Sequence, residues 1–291
     1  MSGRYPDWAS DGKDWPNREA SSFVRAGGYE WHVQQMGSGP VCLLIHGTGA
    51  ATHSWRDVMP LLAKYYTVVA MDLPGHGFTK GMGQRPTLEG MAASVAALLE
   101  ELKLTPSVIV GHSAGVAIAA QLLLDRKWQA PLIGFTPALM PFPGLAAKIF
   151  PSLAKMLFTN PFVAIIFSRM AQSPGQTAKF LARSTASKID AEGAKYYTRL
   201  FSKSGHCDGA IRMMANWRLE GLGARLGNLA SPVLMVSAAK DAAIPKAAVV
   251  QAAALIPDCE TQEMAALGHL AHEEDPAQAV EIITEFAKRN T

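Results

Sequence analysis

The pentapeptide Gly111-His112-Ser113-Ala114-Gly115 is the pattern that most strongly indicates chemistry in this chain, a G-x-S-x-G motif. An apolar run precedes it at 107–110 and a helical pattern follows it at 115–124, so it lies where a strand must turn sharply into a helix. Such a turn strains the serine and exposes its hydroxyl, and the small flanking residues let helix and strand pass closely. An ordinary glycine-rich turn is the alternative, but this context favours Ser113 as a nucleophile.

A serine hydroxyl becomes a good nucleophile only when a base takes its proton and a carboxylate orients that base. Asp241 follows the apolar run 233–236, and His269 follows Gly268 near the C-terminus. This order, Ser then Asp then His, is the one expected for a serine on such a turn. We therefore predict a Ser113–His269–Asp241 triad. The alternative role of Asp241 is to cap a surface turn or a helix.

His272, three residues further on, competes with His269 for the role of base. We prefer His269 because it directly follows the glycine of a loop, from which an imidazole can point inward, whereas His272 leads into a helix near Pro276. The two histidines could instead bind a metal ion together with Glu273 and Glu274, but the sequence offers no partner cluster for such a site. We predict neither a metal nor an organic cofactor.

Acyl transfer also requires hydrogen-bond donors aimed at the developing oxyanion, each contributing roughly 3 kcal/mol. One predicted donor is the backbone N–H of Ala114, at the start of the helix. The other is the backbone N–H of Thr48, in the turn HGTG (46–49) after the apolar run 41–45, and the Thr48 hydroxyl is a candidate third donor. Three histidines beside glycines in tight turns are expected to be structural and hydrogen-bonded: His46, His76 and His112.

Short apolar runs that alternate with helical patterns position these residues. Buried apolar strands in such an alternation indicate an α/β fold with a mostly parallel central sheet covered by helices on both faces. Ligands bind such sheets at the carboxyl ends of the strands, where the polar motifs lie. Alternation at 29–34 predicts an exposed antiparallel strand of a hairpin. The predicted parallel strands are Val41–Ile45, Thr67–Met71, Ser107–Val110, Leu132–Phe135 and Val233–Val236.

The stretch 137–219 has no clear strand and a pattern of helices interrupted by prolines. We predict a helical cap there, inserted into a core at 23–136 and 220–291, with an N-terminal arm at 1–22 lying on the body. From Arg126 through Ile189 the chain has no Asp or Glu, and its cations lie among phenylalanines and methionines. Within it, Gly144–Phe158 has the pattern of a basic amphipathic helix. This pattern predicts either weak peripheral contact with anionic lipid or a cap helix packed over the active site.

Composition excludes several classes of protein. With 291 residues, 49% of them hydrophobic and 18% charged, the chain is not disordered throughout, and a net charge of +3 does not argue for nucleic-acid binding. Three scattered cysteines exclude a disulfide framework and a CxxC zinc site and favour a reducing compartment. The first residues lack a signal-peptide core, and the longest apolar run, Phe162–Phe167, is far shorter than a span of about 20 residues. We expect a soluble, cytoplasmic protein.

Taken together, five motifs resemble the α/β-hydrolase fold superfamily over about residues 23–287: HGTGA (46–50), DLPGHG (72–77), GHSAG (111–115), KD (240–241) and GHLAHE (268–273). The serine at position 113 distinguishes the chain from haloalkane dehalogenases and epoxide hydrolases, which have an aspartate there. A narrower resemblance is to the magnesium chelatase accessory proteins of bacteriochlorophyll biosynthesis. The segments that carry it are HGTGAATHSWRDVMPLLA (46–63), PALMPFPGLAAKIFPSLAK (137–155), MMANW (213–217) and GHLAHEEDP (268–276).

The narrower resemblance implies the cytoplasm of a photosynthetic bacterium and a role near the tetrapyrrole pathway, but it supplies no reaction. Two functions therefore stay open. The first is a serine hydrolase for an ester or thioester. The aromatic and cationic cap suits a large apolar substrate with carboxylates, such as a porphyrin, although the same residues equally fit a cap core with a solvated basic face. The second is a non-catalytic accessory protein that binds porphyrin or magnesium chelatase.

Overall fold

The described residues form a nine-stranded sheet at the centre of the fold. The structure is a computed structural model, and it describes residues 3–81, 83–140 and 161–290. The strands are β1 Ser21–Ala26, β2 Tyr29–Met36, β3 Val41–Ile45, β4 Thr67–Met71, β5 Lys80–Gly81, β6 Val108–His112, β7 Leu132–Phe135, β8 Val233–Ala238 and β9 Cys259–Met264. Their order is β1-β2-β4-β3-β6-β7-β8-β9, with β5 paired to β2. Neighbours from β4 to β9 are parallel, whereas β1, β2 and β5 pair in antiparallel fashion.

Helices cover both faces of this sheet. They are α1 Trp8–Asp11, α2 Val58–Leu62, α3 Leu88–Leu102, α4 Ala114–Arg126, α5 Pro161–Ala171, α6 Gln176–Thr185, α7 Ala191–Phe201, α8 Ser204–Asn216, α9 Glu220–Gly223, α10 Lys246–Ala253, α11 Ala271–Glu274 and α12 Pro276–Asn290. Along β3, Leu43 and Ile45 pack with α3, α4 and α10, whereas Cys42 and Leu44 pack with α2 and α12. Because both faces of the strand are buried, it is a continuous apolar run rather than an alternating one.

All five predicted parallel strands occur, and the predicted α/β class is confirmed. β6 runs on to His112 and β8 to Ala238, so both end one or more residues later than the apolar pattern indicates. The sequence missed β9, whose residues CETQEM are mostly exposed at the edge of the sheet. An edge strand with little buried surface carries no apolar run by which to recognise it.

The prediction that the hairpin strand β2 is exposed is wrong. His32 and Gln34, on the face expected to meet solvent, are fully buried. The N-terminal arm covers them: the Trp8 ring lies 4.8 Å from the His32 ring, and Gln34 Nε2 donates to the carbonyl of Pro16 at 2.7 Å. His32 and Gln34 therefore contact the arm instead of water.

Helices α5 to α8 follow β7 and precede β8, and we call them the inserted helices. The predicted amphipathic helix Gly144–Phe158 lies outside the described residues, and the boundaries of the cap stay a prediction. The arm also contacts the inserted helices. Arg199 Nη1 lies 2.7 Å from Asp14 Oδ1, and Lys203 Nζ lies 2.8 Å from Asp11 Oδ2. Among the described residues, no helix is both long and apolar enough to cross a bilayer.

Candidate active site

Ser113 occupies a sharp turn between β6, which ends at His112, and α4, which begins at Ala114. Its φ of 52° and ψ of −117° lie in a region that a residue with a side chain rarely adopts, so the turn is strained. Gly115 is required because a Cβ there would overlap the carbonyl oxygen of Ile45. The strand-to-helix turn predicted from the motif is therefore present at this position.

Asp241 and His269 form a close pair at the same edge of the sheet. Asp241 follows β8, and its Oδ2 lies 2.8 Å from His269 Nδ1. Its other oxygen accepts the backbone N–H groups of Ala243 at 2.7 Å and Ile244 at 2.9 Å. Because a carboxylate only accepts hydrogen bonds, Nδ1 carries the proton and Nε2 keeps its lone pair, which is the tautomer that a general base requires.

The backbone of His269 is held from two sides. Its carbonyl accepts the hydroxyl of Thr136 at 2.9 Å and Nε2 of His112 at 3.0 Å. Its N–H donates to the carbonyl of Thr185, at the end of α6, at 2.8 Å. The His112 ring lies 4.9 Å from the His269 ring, and His112 is the neighbour of Ser113. The structure thus joins Asp241 directly to His269 and places Ser113 next in the chain to His112, which contacts His269 through both its ring and its Nε2.

The loop after β3 approaches the Ser113 turn closely. A Cβ at Gly47 would lie 3.1 Å from Ser113 Cβ and 2.8 Å from His112 Nδ1. His46 braces this loop: its Nδ1 lies 2.7 Å from the carbonyl oxygen of Gly47, and its Nε2 accepts the N–H of Leu73 at 2.9 Å. Glycine is needed at position 47 because any side chain there would meet the turn.

The two predicted oxyanion donors lie on either side of this contact. Ala114 is the first residue of α4, where backbone N–H groups have no intrahelical acceptor and the helix dipole favours negative charge. Thr48 lies on the facing loop, and its hydroxyl contacts Met213 Sδ at 3.6 Å. Neither backbone N–H has an acceptor among the residues that the structure describes. The arrangement suits an anionic oxygen, and the Thr48 hydroxyl stays a candidate third donor.

The competing histidine, His272, does not contact Asp241. It is fully buried against Trp55, and its Nε2 lies 3.0 Å from the Ser54 hydroxyl. Burial lowers the pKa of His272 to about 3, so it stays neutral. Within the described ranges no group of three His, Cys, Asp or Glu side chains could hold a metal ion.

Glu273 and Glu274, considered from sequence only as ligands of a rejected metal site, instead join the loop at 268–274 to the inserted helix α7 and to the segment between α6 and α7. Glu273 is buried and accepts the hydroxyls of Tyr197, at 2.6 Å, and Ser54. Burial raises the pKa of Glu273 to about 7 despite these two donors. Glu274 accepts the N–H of Gly268 at 2.8 Å with one oxygen and that of Lys188 at 2.9 Å with the other. The signal in the sequence that could have pointed to these contacts is the pair of acidic residues directly after GHLAH.

Every one of the eight histidines is buried. His206, on α8, accepts the N–H of Gly77 at 3.0 Å and lies 3.0 Å from the carbonyl of Gly49 through its other nitrogen, and burial lowers its pKa to about 4. His46 is satisfied at both nitrogens, as predicted. Among the described residues, His76 Nε2 and His112 Nδ1 have no hydrogen-bond partner, so the expectation of fully satisfied rings is wrong for these two.

This fold and this site define the class of protein. The model of the alpha/beta hydrolase family matches residues 42–282, and the chain belongs to that family. At the level of individual proteins, the chain is 39% identical over 263 residues to the magnesium-chelatase 30 kDa subunit of Rhodobacter capsulatus, which covers 89% of this chain and 92% of that one. Both resemblances expected from the motifs are thereby confirmed.

Two further comparisons agree with the family. The chain is 25% identical to pyrrolizixenacetamide deacetylase of Xenorhabdus hominickii, over 86% of this chain and 91% of that protein. The meta-cleavage product hydrolase of Pseudomonas fluorescens IP01 superposes with a TM-score of 0.77 at 19% identity, over 94% of this chain and 100% of that one. At that identity the likeness concerns the fold.

Proposed function

We propose that this chain is a serine hydrolase that cleaves an ester or thioester and works in magnesium-tetrapyrrole biosynthesis. The observation that carries the proposal is the Asp241–His269 pair, joined at 2.8 Å and held beside the strained turn of Ser113. An imidazole whose Nδ1 is held by a carboxylate, beside a serine on a strained turn, is the arrangement that acyl transfer requires. The deacetylase among the relatives supports acyl chemistry.

In the proposed mechanism, Ser113 Oγ attacks the acyl carbonyl carbon while His269 Nε2 takes the hydroxyl proton. Asp241 stabilises the imidazolium that forms. The negative oxygen of the tetrahedral intermediate accepts the N–H groups of Ala114 and Thr48. Collapse of the intermediate breaks the bond to the leaving group, which takes the proton from His269. A water molecule then attacks the acyl carbon of the ester on Ser113 while His269 Nε2 takes its proton. The bond to Ser113 Oγ breaks, Oγ takes that proton back, and the acid leaves.

The proposed substrate is a large apolar molecule that bears carboxylates, such as a tetrapyrrole with propionate or methyl-ester arms. Two observations support it: the relative named as a magnesium-chelatase subunit, and the absence of acids between Arg126 and Ile189. We place the reaction in the cytoplasm. Weak contact with a membrane through Gly144–Phe158 stays a prediction from sequence.

A non-catalytic accessory role is the second candidate. The observation that favours it is the 39% identity to a chelatase subunit over nearly the whole of both chains. In that role the protein would bind magnesium chelatase or its porphyrin and would not require Ser113. Immobilised chain should then retain the chelatase from a bacteriochlorophyll-producing lysate equally well with Ser113→Ala.

Labelling with a fluorophosphonate probe separates the two candidates, because it detects an activated serine without knowledge of the substrate. We expect the native protein to label and Ser113→Ala to lose all labelling. Ser173→Ala, which changes an exposed serine in the turn between α5 and α6, should label like the native protein. Absence of labelling in folded native protein would reject the hydrolase and leave the accessory role.

A further inference from the structure

A groove of about 510 Å³ lies among the inserted helices α5, α6 and α7. Three phenyl rings form its apolar wall in mutual edge-to-face contact. The Phe167 ring lies 5.1 Å from Phe180 and 5.5 Å from Phe201, and the last two are 5.9 Å apart. Phe180 is 42% exposed and Met170, at the rim, is 58% exposed. Apolar side chains left open around a concave surface are typical of a ligand site.

Exposed residues of α6 form one side of the groove. Lys179, Phe180 and Arg183 line the groove, whereas Leu181 on the same helix is buried. Residues three and four apart share a face of a helix, so Lys179 and Arg183 are neighbours of like charge. Such a pair destabilises a helix slightly unless an anion lies between the two cations.

The described residues supply no anion for these two cations. In the described part of the chain neither Lys179 nor Arg183 forms an ion pair. The sequence contains no Asp or Glu from Arg126 through Ile189, which includes the stretch 141–160 that leads into α5. The groove thus joins an aromatic wall to a cationic rim that lacks a counter-charge.

The ring of Phe201 separates this groove from the candidate active site. It packs in one buried cluster with Ala50 and with Leu270, the neighbour of His269. A Cβ at Gly49, in the oxyanion loop, would lie 3.6 Å from its Cε1 atom. A molecule bound in the groove would therefore rest on Phe201, which packs against the two loops that carry Gly49 and Leu270.

We propose that this groove is a binding site for an amphipathic organic carboxylate. The apolar body stacks on Phe167, Phe180 and Phe201, and the carboxylate accepts hydrogen bonds from Lys179 and Arg183 at the rim. Charge-assisted hydrogen bonds of this kind are roughly twice as strong as neutral ones, and Arg presents a fork that matches a carboxylate. The ligand is the substrate only if the proposed hydrolase function holds, whereas the binding itself is independent of Ser113.

A matched pair of fluorescent probes tests the site: 1-pyrenebutyrate, which carries the carboxylate, and 1-pyrenebutanol, which has the same ring system without charge. We expect the native full-length protein, and equally Ser113→Ala, to bind the butyrate at least about tenfold more tightly than the butanol. Lys179→Gln with Arg183→Gln should remove that preference and leave butanol binding unchanged. Phe180→Ala should weaken both probes.

The control variant is Arg169→Gln with Lys188→Gln, which removes the same charge from exposed positions that do not line the groove. It should bind both probes like the native protein. Equal affinity of the native protein for the two probes, binding of neither, or an equal loss in the control variant would overturn the proposal. Fluorophosphonate labelling of the same samples is read separately, so a failed hydrolase and a failed groove give different results.

Discussion

The backbone N–H of His269 donates to the carbonyl of Thr185, 2.8 Å away. This hydrogen bond joins the backbone of the candidate base to the last residue of the inserted helix α6. That carbonyl is one of the last four in the helix, and these have no hydrogen-bond partner within the helix. The next residue repeats the contact, since the N–H of Leu270 donates to the hydroxyl of Ser187 at 2.8 Å. A shift of α6 would therefore move the imidazole relative to Ser113.

Replacement of Asp241 by Asn should reduce the rate of fluorophosphonate labelling by about a thousandfold to ten-thousandfold, because the amide no longer selects the correct imidazole tautomer or stabilises its charged form. The labelling rate at pH 8 measures this effect. Asp258→Asn, an exposed carboxylate just before β9, is the control and should label normally. A labelling rate for Asp241→Asn within tenfold of the native rate would argue that this carboxylate does not serve His269.

Replacement of Glu274 by Ala should slow labelling by about tenfold or more and lower the free energy of unfolding by about 2 kcal/mol. The carboxylate ties Gly268, next to the candidate base, to Lys188 after α6, and its loss leaves two N–H groups without an acceptor. The labelling rate and a urea titration measure the two effects. Glu281→Ala, on the exposed face of α12, should change neither. A stability loss with an unchanged labelling rate would show that Glu274 does not position His269.

The buried carboxyl of Glu273 should make the protein less stable as the pH rises. Burial raises its pKa from 4.5 to about 7 in the folded state. The folded protein therefore holds this proton more tightly than the unfolded chain, and the stabilisation, present below pH 4.5, is lost as the pH rises through 7. The loss from this group should approach about 3 kcal/mol.

Urea titrations of the native protein and Glu273→Gln at pH 5 and pH 8 measure this contribution. The variant carries an uncharged side chain at both values, so it should lose less stability than the native protein over this interval. Glu281→Gln should follow the native curve. Parallel curves for native protein and Glu273→Gln would mean that Glu273 titrates at its ordinary value.

The arm should hold the inserted helices on the core through Trp15. This side chain is 2% exposed, packs 5.4 Å from the Tyr196 ring of α7 and donates from Nε1 to the Thr52 hydroxyl at 3.0 Å. Trp15→Ala should cost about 3–5 kcal/mol of unfolding free energy and accelerate proteolysis within the arm. Trp15→Phe keeps most of the packing and should cost about 1–2 kcal/mol. Equal proteolysis rates in the native protein and Trp15→Ala would disprove this role.

Local patterns were sufficient to predict the five parallel strands β3, β4, β6, β7 and β8 and to nominate Ser113, His269 and Asp241 as candidate site residues. A strand buried on both faces must be an apolar run. A serine on a sharp strand-to-helix turn needs glycines where helix and strand pass closely, so the five residues 111–115 are enough to recognise Ser113. Asp241 and His269 are predictable because the carboxyl ends of parallel strands meet at one edge of a sheet. These inferences require only periodicity and chain order.

Contacts between distant segments were decided only by the tertiary structure. The polar face of β2 is indistinguishable from a solvated face until the arm covers it, and β9 lacks an apolar run because it lies at the edge. The contact of Thr185 with His269 and the bridge made by Glu274 join segments that no periodicity relates. The sequence by itself determined which residues lie at the carboxyl edge of the sheet, since local sterics and burial control that. Which helix holds the candidate base is decided by a hydrogen bond between two backbone groups. Backbone groups are alike in nearly every residue, so this contact leaves no signal in the sequence.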